Sequence, residues 1–151
     1  MNAHQKPRGC TNLKLRQVTR LVTQHYDTEV GKTGLKTTQY SLLSHIQSLG
    51  PVRLGDLARA MRMDASTLTR NLRPLQEAGW VEAMAGEDAR SRSVQLTDGG
   101  HAKRLEAQRH WRVAQEALNE RLGMAHVAAL HDLLDETVRL LDAGAAAGLQ
   151  P

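Results

Sequence analysis

The stretch at residues 54–97, LGDLARAMRMDASTLTRNLRPLQEAGWVEAMAGEDARSRSVQLT, decides the fold. Leu54, Leu57, Ala58 and Met61 recur at helical spacing, and Arg62-Met63 turns the chain. Asp64 then stands where it caps a second helix, through about Gln76, with Leu68, Leu72 and Leu75 on its inward side. Two helices joined by so short a turn form a helix-turn-helix signature. The residues after Gln76 narrow the choice. Gly79 ends the helix, Trp80 to Ala85 read as a strand, Gly86 to Arg90 as a turn and Ser93 to Leu96 as a returning strand, and Thr97 caps a further helix. A hairpin attached to a helix-turn-helix is a winged helix.

The flanks are helical. Before the stretch, Leu15, Val18, Val22 and Tyr26 mark a helix from Asn12 to Val30, and Leu42, Leu43 and Ile46 mark another from about Thr38 to Leu49, stopped by Gly50-Pro51. After it, Ala102, Leu105, Trp111, Ala114, Leu118 and Leu122 trace a long helix from Asp98. Beyond Gly123, Val127, Leu130, Leu134, Val138 and Leu141 trace a last one. That pair is too extended for a small winged domain to cover. Packing against a second copy, with the N-terminal helix joining in, buries it; a monomer with a helical cap is the other solution. The expected fold class is therefore mainly α with a small β-wing: an N-terminal dimerisation helix (12–34), a winged helix-turn-helix (35–97), C-terminal dimerisation helices (98–141) and a disordered tail (142–151).

Composition bounds the function. The 151 residues carry 20 Lys and Arg against 16 Asp and Glu, a formal +4, which suits a polyanion but also a membrane surface or an acidic protein. No run of about eighteen apolar residues occurs, and MNAHQKPRGCTN lacks the apolar segment of a secretory signal, so a cytoplasmic protein without a membrane partner is expected. The seven histidines are scattered with no Cys/His ligand spacing, and no phosphate loop or nucleophile elbow is present. Neither a metal, another cofactor nor an enzyme activity is expected. The single cysteine, Cys10, cannot staple its own chain but, near Lys6, Arg8 and Lys14, is a candidate redox sensor.

On the second helix of the pair, Ser66, Thr67, Arg70, Asn71 and Arg73 are the expected solvent-side residues. Arginine offers two hydrogen bonds to guanine and asparagine two to adenine. Pro74 lacks an N–H, so a bend near Arg70 is expected. In the wing, Arg90 and Arg92 are two apart and suit a narrow minor groove, while Asp88 is expected to shape the loop by accepting from Arg90 or the backbone. Lys36, Arg53 and Arg59 are additional phosphate candidates. A winged helix used as a protein-interaction module would instead present an acidic or apolar reading face.

Over about Asn12 to Leu141 the sequence resembles the MarR family of bacterial transcriptional regulators. LKTTQYSLLSHI, LGDLARAMRMDASTLTRNLRPLQEAGWV and DARSRSVQLTDGG occur in the family's order, with Asp88, Arg90, Leu96, Thr97 and Gly100 on its wing motif. Arg53 and Ala83 depart from the family's frequent cap and wing-base arginine. The resemblance implies a homodimer on double-stranded DNA with an inverted-repeat operator. It also implies repression or, less often, activation of genes whose promoter carries that site, and release by a small phenolic or aromatic ligand or by thiol oxidation. Tyr26, Tyr40, His45 and Trp111 are the candidate effector contacts.

Overall fold

The computed structural model describes residues 6–88 and 91–147. Helix α1 (Thr11–Val30) leads through a 3-10 turn (Gly31–Thr33) to α2 (Thr37–Leu49), a short strand β1 (Val52–Arg53), α3 (Leu54–Ala60) and α4 (Ala65–Glu77). The hairpin β2 (Val81–Met84) and β3 (Ser93–Leu96) comes next, then α5 (Asp98–Leu122) and α6 (Met124–Ala147). The class is mainly α with a small antiparallel wing, as the sequence pattern predicts. Two differences stand out. Strand β1 adds a third member to the sheet, in the order β1-β3-β2, pairing Val52 with Val94 and Arg53 with Ser93. Helix α6 also runs on to Ala147, so residues 142–147 are not the disordered tail expected; Ala143, Ala145, Ala146 and Ala147 are the best helix formers. Residues 148–151 of that tail lie outside the described residues.

The chain divides into two compact units, the first ending at Ala114 and the second beginning at Gln115. In the first, Leu43, Ile46, Leu57, Leu68, Leu72, Leu75 and Val94 form one buried cluster drawn from α2, α3, α4 and β3. Helix α1 joins it only at its C-terminal end, where Tyr26 and Val30 are buried. It is tied to α5 by His110 Nδ1 against Glu29 Oε1 at 3.0 Å and by His25 Nε2 against the Ala114 carbonyl at 2.8 Å. Asp27 also accepts from the Thr37 N–H at 2.7 Å, satisfying a first-turn donor of α2. The second unit holds the end of α5, a break at Gly123 (φ 85°) and α6.

The turn between α3 and α4 closes on itself. Met63 N–H reaches the Ala58 carbonyl and Arg62 N–H that of Arg59, with Arg62 at φ 52° in the left-handed region. Helix α4 ends the same way: Trp80 N–H reaches Leu75, Gly79 N–H reaches Gln76, and Gly79 sits at φ 77°. At the far side of the hairpin the Thr97 hydroxyl donates to the Gly79 carbonyl at 2.6 Å and accepts from the Gly100 N–H at 3.0 Å. The backbone of α5 passes so close that a Cβ on Gly100 would run into the Trp80 carbonyl, whereas one on Gly99 would meet only ordinary contacts. Gly100→Ala is therefore expected to lower unfolding stability by about 1–3 kcal/mol, while Gly99→Ala is neutral or slightly stabilising. Urea unfolding of the two variants beside the wild type checks the contrast.

Candidate nucleic-acid interface

Helix α4 separates into a buried and an outward face. Leu68, Leu72 and Leu75 are 0–2% exposed, and opposite them Ala65, Ser66, Thr69, Arg70, Arg73 and Gln76 line one shallow concave surface. Spacings of three and four from Ala65 through Thr69 to Arg73 and Gln76 mark that face, so Thr69 and Gln76 are readable from helical periodicity although the residue types draw attention elsewhere. The helix is continuous through Pro74.

Asn71 departs from expectation. It is half-buried, its Nδ2 3.7 Å from Met63 Sδ, rather than on the solvent face. The reason is its register: Asn71 lies three residues after Leu68 and four before Leu75, on the border of the leucine stripe. It lines a groove with Lys36, Thr38, Gln39, Leu42, Arg70 and Pro74, between the start of α2 and the middle of α4. Thr67 is likewise half-buried. Arg70 is exposed, and Arg73 is exposed with its Nε 2.9 Å from Glu77 Oε1. An exposed pair of this kind is worth about 0.2–1 kcal/mol, so Arg73 exchanges Glu77 for another anion at little cost.

The start of α4 is held by one carboxylate. Asp64 accepts from the Thr67 N–H at 2.7 Å, from Ser66 Oγ at 2.7 Å and from Thr67 Oγ1 at 3.0 Å. The Thr67 backbone bond foremost, then the two hydroxyls, with a smaller contribution from the Arg70 charge, hold its pKa down at about 2 against an ordinary 3.8.

In the wing, Gln95 Nε2 donates to Glu82 Oε1 at 2.6 Å across the register pair. The loop is shaped by Asp88 and Ser91. Ser91 N–H donates to Asp88 Oδ1 at 2.8 Å, and the Asp88 N–H donates back to Ser91 Oγ at 3.0 Å. A Cβ on Gly86 would strike Ser91, which explains a glycine at that approach. Arg92 is exposed, and its carbonyl accepts from Leu54 N–H at 3.1 Å, fastening the wing's return to the start of α3. Arg90 lies outside the described residues. Arg53 precedes α3 with no side-chain cap, and Arg59 pairs with Asp56.

The effector candidates occupy the core side of the first unit. Tyr26 and Tyr40 are buried, Trp111 packs partly buried against the core with its ring 6.1 Å from that of Tyr40, and His45 Nδ1 lies 2.8 Å from the Ser41 carbonyl on its own helix. Tyr26 meets His25 edge to face, with ring centroids 5.7 Å apart. Cys10 is exposed at the N-cap of α1. No group of three or more metal-ligating side chains, and no helix long and apolar enough to cross a membrane, occurs among the described residues.

The Asp64 cap carries a pH signature. Its folded pKa lies below its ordinary value, so its stabilising effect is complete above about pH 4 and disappears as pH falls through about 2. The difference in urea midpoint between wild type and Asp64→Ala should therefore be full at about pH 5 and shrink steadily toward pH 2. A difference independent of pH over that range contradicts the cap's assignment to the ionised carboxylate.

Residues 35–91 match the model of the MarR family. The chain is 30% identical over 90 residues to the HTH-type transcriptional regulator YwoH of Bacillus subtilis, covering 60% of this chain and 66% of YwoH. It is 32% identical over 92 residues to the HTH-type transcriptional regulator PecS of Dickeya dadantii, covering 58% of this chain and 55% of PecS. These alignments thus span less than two thirds of either relative. Among solved structures, the M. tuberculosis transcriptional regulator MosR in complex with DNA superposes with a TM-score of 0.70 at 30% identity, covering 85% of this chain and 98% of that one. With the ordered helices, the capped second helix of the pair and the anchored wing, these matches establish that the chain belongs to the MarR family of winged helix-turn-helix transcriptional regulators, DNA-binding proteins and not enzymes.

Proposed function

We propose that the chain acts as a homodimeric repressor on an inverted-repeat operator, with α4 in the major groove and the wing against the neighbouring minor groove. The carrying observation is the outward face of α4, where Ser66, Thr69, Arg70 and Arg73 stand opposite three fully packed leucines. A face of this composition suits base edges and phosphates and is neither the acidic nor the apolar face that a protein-interaction module would present. In this reading Arg70 contacts a base, with Ser66, Thr67, Asn71 and Arg73 beside it, and Arg90 and Arg92 serve the wing. The DNA complex of MosR, at 30% identity, supports the same use of the fold.

Dimerisation is supported by apolar side chains left exposed in each unit. Leu13, Leu15, Val18 and Leu21 are 44–67% exposed on α1, and Leu133, Leu140 and Leu141 are 56–70% exposed on α6. A second copy covers such stripes and sets two reading helices about 34 Å apart, one helical turn of DNA. Leu134→Arg combined with Leu141→Arg should yield a monomer by light scattering and reduce operator affinity by at least tenfold. An unchanged dimer places the interface elsewhere.

The release signal in this proposal is a small aromatic molecule acting beside the Tyr40 and Trp111 rings, with Tyr26 and His45 as the remaining candidates. It works only by binding the DNA-incompetent arrangement more tightly than the competent one. Oxidation of exposed Cys10 is the competing signal. Operator binding, repeated with aromatic acids and with peroxide before and after reductant, separates them: aromatic release persists in Cys10→Ser, and thiol-based release does not. Within the DNA-binding reading, Arg70→Ala should lose about 1–3 kcal/mol per half-site on the operator but little on unrelated duplex. Arg90→Ala or Arg92→Ala should weaken both and lower the salt dependence. Isotherms at two salt concentrations measure the contrast.

A further inference from the structure

The hydroxyl on the reading face has a fixed polarity. Ser66 is exposed on the outward side of α4, and its Oγ donates to Asp64 Oδ1 at 2.7 Å. Asp64 also receives the Thr67 N–H and the Thr67 hydroxyl, so it is held by three donors and cannot swing away from one without disturbing the start of the helix. A serine hydroxyl has one proton and two lone pairs. With the proton committed to a carboxylate, the outward side of Ser66 Oγ is an acceptor only. Thr69 repeats the pattern one turn on, its Oγ1 donating to the Ala65 carbonyl at 2.9 Å, although a backbone carbonyl holds a proton less firmly than a carboxylate does.

Resting on the reading of α4 as the major-groove helix, we propose that Ser66 is a specificity-determining residue that accepts a hydrogen bond from an exocyclic base amine, adenine N6 or cytosine N4, and that Asp64 is the positioning residue that imposes this choice. The groove edge offers acceptors at guanine O6 and N7, at adenine N7 and at thymine O4, and donors only at those two amines. An acceptor-only hydroxyl is repelled by the first set and matched to the second. It is equally mismatched to a phosphate oxygen, which has no proton to give, so Ser66 reads bases rather than merely anchoring the backbone. Arg70, one turn along the same face, is donor-only and takes the opposite set. The two side chains therefore ask complementary questions of neighbouring base pairs.

The test uses the full chain and a duplex selected by it from a randomised library, with both half-sites altered together. Each adenine is replaced in turn by purine, which lacks N6, and each cytosine by 2-pyrimidinone, which lacks N4. One position should show a loss of roughly tenfold per half-site with wild type, roughly a hundredfold for the duplex altered in both, and no loss with Ser66→Ala. Ser66→Ala weakening every duplex equally, or coupling to 7-deazaguanine instead of to an amine deletion, overturns the proposal. Asp64→Gly tests the positioning role, because glycine is a tolerable N-cap but frees the Ser66 proton. With that variant, the penalty for a keto base at the coupled position should fall from roughly tenfold to roughly two- to threefold per half-site; an unchanged penalty in a protein that still melts cooperatively removes Asp64 from the mechanism. The amine coupling of Ser66 is decided even if Asp64→Gly fails to fold. Arg70→Ala separates this inference from the reading beneath it: if Arg70→Ala loses base preference and Ser66→Ala does not, α4 reads DNA without the serine, and if neither changes preference, α4 is not the reading helix.

Discussion

The arrangement depends on one junction, where the hydroxyl of Thr97 holds the end of α4 and the start of α5 at once. Its proton goes to the Gly79 carbonyl and its lone pair takes the Gly100 N–H, while its own N–H reaches the Trp80 carbonyl. Gly79 supplies the left-handed residue that ends α4, and Gly100 supplies the missing Cβ that lets α5 approach Trp80. The hairpin β2–β3 leaves and returns through the same few residues. Helix α4, the wing and α5 therefore meet at a point made mostly of backbone groups and two glycines.

That junction explains why the local pattern is so legible. A leucine stripe at Leu68, Leu72 and Leu75, a capping aspartate at Asp64 and glycine at Gly79 each act over a few residues, and periodicity reports such short-range constraints directly. Strand β1 is not legible because a strand so short carries no period; its pairing to β3 is created by the return of the wing, far along the chain. Asn71 sits off its expected face for a related reason. Residue type argues for the DNA face, whereas position on the helix wheel argues for the leucine border, and in a packed helix geometry prevails over type. The tail differs from its pattern because glycine and alanine together look like low complexity, while alanines extending an existing helix need no nucleation.

Charge on the reading helix is partly self-compensated. Glu77 faces Arg73, and Asp64 sits at the helix start among groups otherwise suited to phosphate. Neither acid is wasted. The Glu77 pair is exposed and cheap to exchange, so in the proposed complex it would limit non-specific attraction without preventing Arg73 from engaging DNA. Asp64 is satisfied internally by three donors, which reduces the negative potential it presents outward. The net result is a face with modest rather than maximal positive charge, consistent with a chain whose formal charge is only +4. If this face reads DNA as proposed, discrimination between sequences would depend on hydrogen-bond direction more than on charge, since phosphate attraction is common to every duplex.

The exposed leucines have a physical consequence beyond covering them. Side chains such as Leu21 and Leu141, at 67% and 70% exposure, gain about 1.5–3 kcal/mol each when fully removed from water, so a few of them match much of the stability of a small domain. In the proposed dimer, folding is coupled to association, and stability would rise with concentration. The same coupling bears on DNA binding. If the segments that carry those leucines are ordered by a second copy, the spacing of the two reading helices is set by the interface rather than by the winged domain. In the proposed switch, a ligand or an oxidised side chain would need to change only the packing of helices to alter the fit to two successive grooves, with the hydrogen bonds of Thr97 linking α5 to the end of α4.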